Sequence, residues 1–148
     1  MRYFEDIEVG EGATSDEAYL LEPSEIVTFC EKWDPLPFHT DEAFAATTPV
    51  GKLFTSAIHT VAIAIRLGHQ INQDPVATEI GLGWDDVRFT TPACAGDRLT
   101  LHAEIIEARA SKSRPEVGIV RSLLKLVNQD GAEVIRFKTA ALIRRRPE

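Results

Sequence analysis

The chain has 148 residues and a net charge of −7, with a pI near 5.1; that suits one domain over 1–148 with its own core and offers no basic face for nucleic acid. At 44% hydrophobic and 26% charged it is balanced as a soluble globular chain, which excludes a disordered one. No apolar run is long enough to span a bilayer, Met1–Asp6 lacks the apolar core of a secretory signal, and Cys30 and Cys94 form no metal or redox motif, so a reducing cytoplasm with both thiols buried is expected.

Residues 13–21 suit a first strand. Pro23 stands where a helix can start, because its missing N–H costs nothing in the first turn. Ile26, Phe29, Cys30 and Trp33 follow at i, i+3, i+4 and i+7, which is one face of a helix. That helix should stop near Asp34, since Pro35 and then Pro37 disfavour helical backbone before them. Asp41 can cap a short helix through Ala43, Phe44 and Ala46, ended by Pro49-Val50-Gly51. From Thr55 to about Asn72, apolar residues cover nearly all sides of a helix, which should therefore be largely buried. Asn72-Gln73-Asp74-Pro75 should end it.

After that helix the pattern has period two. Residues 77–89 read as a strand with an irregularity at Gly or Asp, and Asp85–Asp86 beside Trp84 suggest a bulge. Leu99, Leu101, Ala103 and Ile105 alternate with polar residues, as in a half-buried strand. Residues 118–127 and 135–143 give two further strands, joined by a tight turn at Asn128-Gln129-Asp130-Gly131. Strands joined by short turns make an antiparallel sheet, and with one buried helix the class is α+β.

The chemistry-bearing segment is Trp33-Asp34-Pro35-Leu36-Pro37-Phe38-His39-Thr40-Asp41. Two prolines reduce the freedom of the backbone that carries Asp34 and His39. A carboxylate and an imidazole held together can bind one water, take a proton from it and return one elsewhere. Spacing alone is equally compatible with an Asp that bonds turn backbone and a His at the surface. No metal is expected, because one His with nearby carboxylates completes no ligand set.

The segment from Ser24 to Leu67 resembles the MaoC-like dehydratases, a family that includes the (R)-specific enoyl-CoA hydratases. The family pattern Asp-x-Asn-Pro-x-His-x-Asp is matched by Asp34, Pro37, His39 and Asp41, with Leu36 at the Asn position. The family's Phe-Gly-x-x-Ile-Ala-His-Gly-Met reads here as Val50 to Ile58; Gly51 matches, Ser56 replaces His and Ala57 replaces Gly. Pro92-Ala93-Cys94-Ala95-Gly96-Asp97 resembles the family's Pro-x-x-x-Gly-Asp turn.

The resemblance implies a single hot-dog domain, a long central helix wrapped by a curved antiparallel sheet. It implies an acyl-thioester hydratase or dehydratase acting on a trans-2-enoyl-CoA or the reverse, with Asp34 and His39 as the acid–base pair. The coenzyme A thioester is then the substrate, and no further cofactor is expected. The Ala57 N–H is the implied donor to the thioester oxygen, and Ser56 either caps the helix or faces the ligand. A noncatalytic acyl-CoA-binding or assembly subunit, or a hot-dog thioesterase, are alternatives on the same scaffold. The implied assembly is a homodimer or higher homo-oligomer, with neither nucleic acid nor membrane as partner.

Among secondary candidates, His59 reads as a satisfied core or interface histidine. Lys112, Ser113 and Arg114 form a basic loop, either a solvated turn or a local attraction for coenzyme A phosphates. Arg144-Arg145-Arg146 reads as a solvated tail.

Overall fold

The computed structural model describes residues 1–71 and 74–147. A 3-10 turn (Phe4–Asp6) leads to β1 (Gly12–Thr14) and β2 (Tyr19–Leu20), two short strands where one was expected. Ser15 makes the break. Its N–H donates to the Leu101 carbonyl at 2.9 Å and its hydroxyl accepts the Leu101 N–H at 3.0 Å, and the chain bends at Asp16–Glu17 before rejoining the same neighbour strand.

Pro23 opens α1 (Pro23–Trp33), and Asp34 leaves helical backbone as its C-cap. Ile26 and Cys30 are fully buried and Phe29 is half-buried. Trp33 departs from the expected buried face and is 60% exposed; in the last turn it lies beyond the core, with the Lys32 ammonium over its ring. Pro37 then starts a single turn, α2 (Pro37–Thr40), so His39 rides on helical backbone rather than a loop. Asp41 caps α3 (Glu42–Ala45) by accepting the Phe44 N–H at 3.1 Å.

The central helix is α4 (Ala57–Ile71). Val61, Ile63, Ala64 and Leu67 are buried, but Ile58 is 49% exposed and Ala62 and Arg66 face outward, so the helix is open on one side. The expected stop at Asn72 and Gln73 lies outside the described residues.

The remaining strands are β3 (Thr78–Phe89), β4 (Arg98–Ala110), β5 (Val117–Val127) and β6 (Glu133–Arg144). They form one antiparallel sheet in the order β1-β4-β5-β6-β3, with β2 also on β4. Asn128 starts the expected tight turn: its side-chain oxygen accepts two backbone N–H groups, and Gly131 takes φ +75°. Register slips along β3, and Asp86 takes φ +51°, in line with the irregularity expected there.

The sheet's inner face packs against α4 and changes character along the helix. Leu101, Leu126, Ile135 and Phe137 fill the space toward one end. Ala103, Ser122, Thr139 and Ala141 continue the same face, and a cavity of about 480 Å³ lies between these small residues and Ile65, Gly68 and Ile71. A long helix wrapped by a curved antiparallel sheet is the hot-dog arrangement. No helix among the described residues is long and apolar enough to cross a membrane. Arg145 and Arg146 are not a free tail; they pair with Glu5 at 2.8 Å and Asp6 at 2.6 Å.

Phe137 is 1% exposed between sheet and helix. Phe137→Ala should lower stability by about 3–5 kcal/mol, the loss typical of an emptied aromatic site, measured by urea unfolding.

Candidate active site

An extended strap, residues 53–56, joins the two halves of the site. It is pinned to the turn at 92–97: the Thr55 N–H donates to the Ala93 carbonyl at 2.8 Å and the Ala95 N–H to the Leu53 carbonyl at 2.9 Å. Asp97 rigidifies that turn. One of its carboxylate oxygens accepts the Cys94 N–H at 2.8 Å and the other the Gln129 amide at 3.0 Å. Gly96 supplies φ +86°, a conformation that side chains disfavour. The expected Pro-x-x-x-Gly-Asp turn is thus the anchor of the strap.

His39 reaches the strap from α2. Its Nδ1 lies 2.7 Å from the Phe54 carbonyl oxygen, which can only accept, so Nδ1 carries the proton. Nε2 of the neutral ring is then a bare acceptor, 3.5 Å from Asp34 Oδ2. Phe38 and Phe54 hold the imidazole edge-on, with ring centroids 4.6 Å and 5.0 Å away, and stack on each other at 5.2 Å. His39 is 5% exposed.

Asp34 reaches the same point from the end of α1. The Ser56 hydroxyl donates to Asp34 Oδ2 at 2.6 Å, so Ser56 turns to the carboxylate instead of capping α4. Its carbonyl accepts the N–H groups of His59 and Thr60 as α4 begins. Ala57 opens the helix, where first-turn amides have no intrahelical acceptor and the helix dipole favours negative charge. Asp34, Leu36, Phe38, His39, Ala57 and Phe89 are among the residues around a pocket of about 410 Å³.

The structure therefore brings together Asp34, His39, Ser56 and Ala57. It does not bring Gly51, which turns the chain before the strap at φ +78° and lies off this pocket. Nor does it bring Lys112 and Arg114, which lie at the opposite end of the sheet from Asp34 within the chain. The Arg114 guanidinium is clamped by Glu79 at 2.5 Å and Glu116 at 2.6 Å, which raises its pKa further. Residue reading missed Phe54, whose contribution is a backbone carbonyl that any residue carries. It also missed Thr55, whose hydroxyl faces inward from the strap.

The protein is thus a hot-dog domain with an Asp and a His converging at the head of its central helix. The MaoC like domain profile matches residues 6–127. The chain belongs to the MaoC-like dehydratase family. A MaoC-like dehydratase from Rhodospirillum rubrum is 32% identical, with all of both chains covered and a TM-score of 0.91. An (R)-hydratase from Pseudomonas aeruginosa is 25% identical over 97% of this chain and 86% of its own, with a TM-score of 0.78. A Mycobacterium tuberculosis protein with a double hot-dog fold, 18% identical, superposes on 99% of this chain with 45% of its own and a TM-score of 0.80, which shows the fold alone.

Ser56→Ala removes a bond to a charged acceptor that is about a third exposed. Stability should fall by about 1.5 kcal/mol, the low end for charge-assisted bonds, as read by thermal or urea unfolding.

Proposed function

We propose that the protein adds water to a trans-2-enoyl-CoA thioester, or runs the reverse dehydration, with Asp34 and His39 as the acid–base pair. The observation that carries this reading is the approach of Asp34 Oδ2 and His39 Nε2 to 3.5 Å; with the imidazole neutral, both are acceptors. Two acceptors do not bond each other, but one water can donate an O–H to each. As the water oxygen bonds to the β-carbon, one member of the pair takes its proton and a proton is returned to the α-carbon. The thioester oxygen gains charge in that step, and the Ala57 N–H at the head of α4 would donate a hydrogen bond to it. Similarity to an (R)-hydratase supports the same reaction class.

The acyl tail would need an apolar slot, and the pocket at Asp34 and His39 shares no lining residue with the larger cavity farther along α4. The cavity of about 480 Å³ lies along α4 beyond the pocket, walled mainly by apolar and small residues. Gly68 is eleven positions after Ala57, roughly 16 Å along a helix.

We infer that the working unit is a homodimer joined along β3. This 12-residue strand ends the sheet, with no further strand beside it among the described residues, and leaves Ile80, Leu82, Trp84 and Phe89 each more than half exposed. Antiparallel pairing with a second copy would set the Thr78 end of one strand by the Phe89 end of the other. The Lys112–Arg114 loop, tied to Glu79, would then stand at the same end of the assembly as the other copy's Asp34 and His39, where coenzyme A phosphates could meet it.

The direct test is hydration of trans-2-enoyl-CoA thioesters of several chain lengths, followed by loss of enoyl absorbance. Turnover is expected, and Asp34→Asn and His39→Gln should each lower kcat by about 10²–10⁴-fold without unfolding the chain. Thioester binding without turnover at any chain length would instead favour a noncatalytic acyl-CoA-binding subunit, on which the apolar Leu36 and the Cβ of Ala57 bear. Free thiol released from saturated acyl-CoA would mean a thioesterase. Separately, sedimentation should give a dimer for the native chain and a monomer for Leu82→Glu; a native monomer would sink the β3 interface.

A further inference from the structure

A second buried histidine lies behind the strap and has no part in the chemistry above. His59, in the first turn of α4, is 3% exposed, and its ring stacks on Phe29 of α1 with centroids 4.2 Å apart and 10° between planes. Nε2 lies 3.1 Å from Glu25 Oε1, and Nδ1 lies 2.6 Å from the Thr55 hydroxyl. The Tyr19 hydroxyl donates to the same Glu25 oxygen, and Cys30 Sγ lies 3.6 Å from Thr55 Oγ1.

Glu25 gives this chain a direction. A carboxylate only accepts, so His59 Nε2 carries the ring proton and Nδ1 is left to accept. The Thr55 hydroxyl is then its donor, and the Cys30 thiol can donate weakly to the Thr55 oxygen. Every bond points toward Glu25. Burial holds the His59 imidazole below its ordinary pKa, against the pull of Glu25, which favours the neutral ring that this arrangement needs.

Thr55 sits between the two residues that orient the acid–base pair. Phe54 before it offers the carbonyl that accepts the His39 Nδ1–H hydrogen bond, and Ser56 after it donates to Asp34. The peptide plane that carries the Phe54 carbonyl is held by the Thr55 N–H bond to the Ala93 carbonyl, and holding the Thr55 side chain restrains φ of Thr55, the one backbone torsion between that plane and the side chain. Apolar side chains at 55 and 59 would fill the same volume without burying polar groups that need partners.

We propose that Glu25, His59 and Thr55 form a positioning network that, through the strap, sets the orientation and protonation of His39. The proposal rests on reading Asp34 and His39 as the acid–base pair. The charged or titratable groups involved are few: Asp34 at the end of α1 faces His39, while Glu25 and Cys30 of α1 and Tyr19 of β2 surround the His59–Thr55 pair, with Arg66 of α4 acting on Tyr19.

The test follows His39 by its ring-proton NMR titration in the ligand-free protein, assigned with His39→Gln, beside the kinetics of hydration. Thr55→Val should move the His39 midpoint by about 0.5 pH unit or more and lower kcat by about 10-fold with little change in KM. Thr55→Ser, which keeps the hydroxyl, should restore both. Glu25→Gln, a change of equal size at a partly exposed position, should shift the midpoint as well and keeps the test alive if Thr55→Val does not fold. An unchanged His39 midpoint in the folded variants, with only the melting temperature lowered, overturns the proposal. Because the titration needs no substrate, a native protein that hydrates no enoyl-CoA would count against the function and leave the network to be judged on its own.

Discussion

The strap at residues 53–56 is the constraint on which the site depends. Asp34 and His39 come from different helical segments, and neither segment alone fixes both. The strap meets His39 with a carbonyl at Phe54 and Asp34 with a hydroxyl at Ser56, three residues of chain in all. It is itself held by the 92–97 turn, which Asp97 locks from within the protein. The positions of Asp34 and His39 are thus set from a buried carboxylate, Asp97, through backbone hydrogen bonds to two side chains.

The α4 N-terminus completes the geometry because it continues the same strap. A helix that begins directly after Ser56 sets its N-terminal end, at Ala57, against the pocket that Asp34 and His39 line. The sheet then decides what lies farther along the helix. Large inner residues such as Leu101 and Phe137 support the end near Asp34 and His39, and small ones such as Ala103 and Ala141 leave the other end hollow. Support and space are thus divided along one helix by the size of the residues facing it.

Much of this was legible in the sequence. Pro23, Pro35 and Asp41 placed helix boundaries because their effects are local. The order Asp34-Pro35-Leu36-Pro37-Phe38-His39 located the site, and Asn128 to Gly131 located a turn. What stayed hidden was of a different kind. Period-two alternation marks Ile80, Leu82 and Trp84 as a strand with an apolar face, but it does not say whether this chain covers that face. The helical spacing that groups Trp33 with Ile26 cannot show that the core ends one turn earlier. Arg145 and Arg146 pair with residues about 140 positions away, beyond any local pattern. Ser56 had a local role open to it as a cap, and only the tertiary approach of Asp34 diverted it.

The Phe54 carbonyl has an evolutionary consequence. Because the partner that fixes the His39 tautomer is main chain, it survives any codon change at position 54 that leaves the backbone path intact. The bond from Ser56 to Asp34 has no such immunity, since it exists only while a donor occupies that position. Drift across generations is therefore buffered for the imidazole and exposed for the carboxylate. Descendants of this chain can alter how the acid is held far more readily than which ring nitrogen of His39 bears the proton.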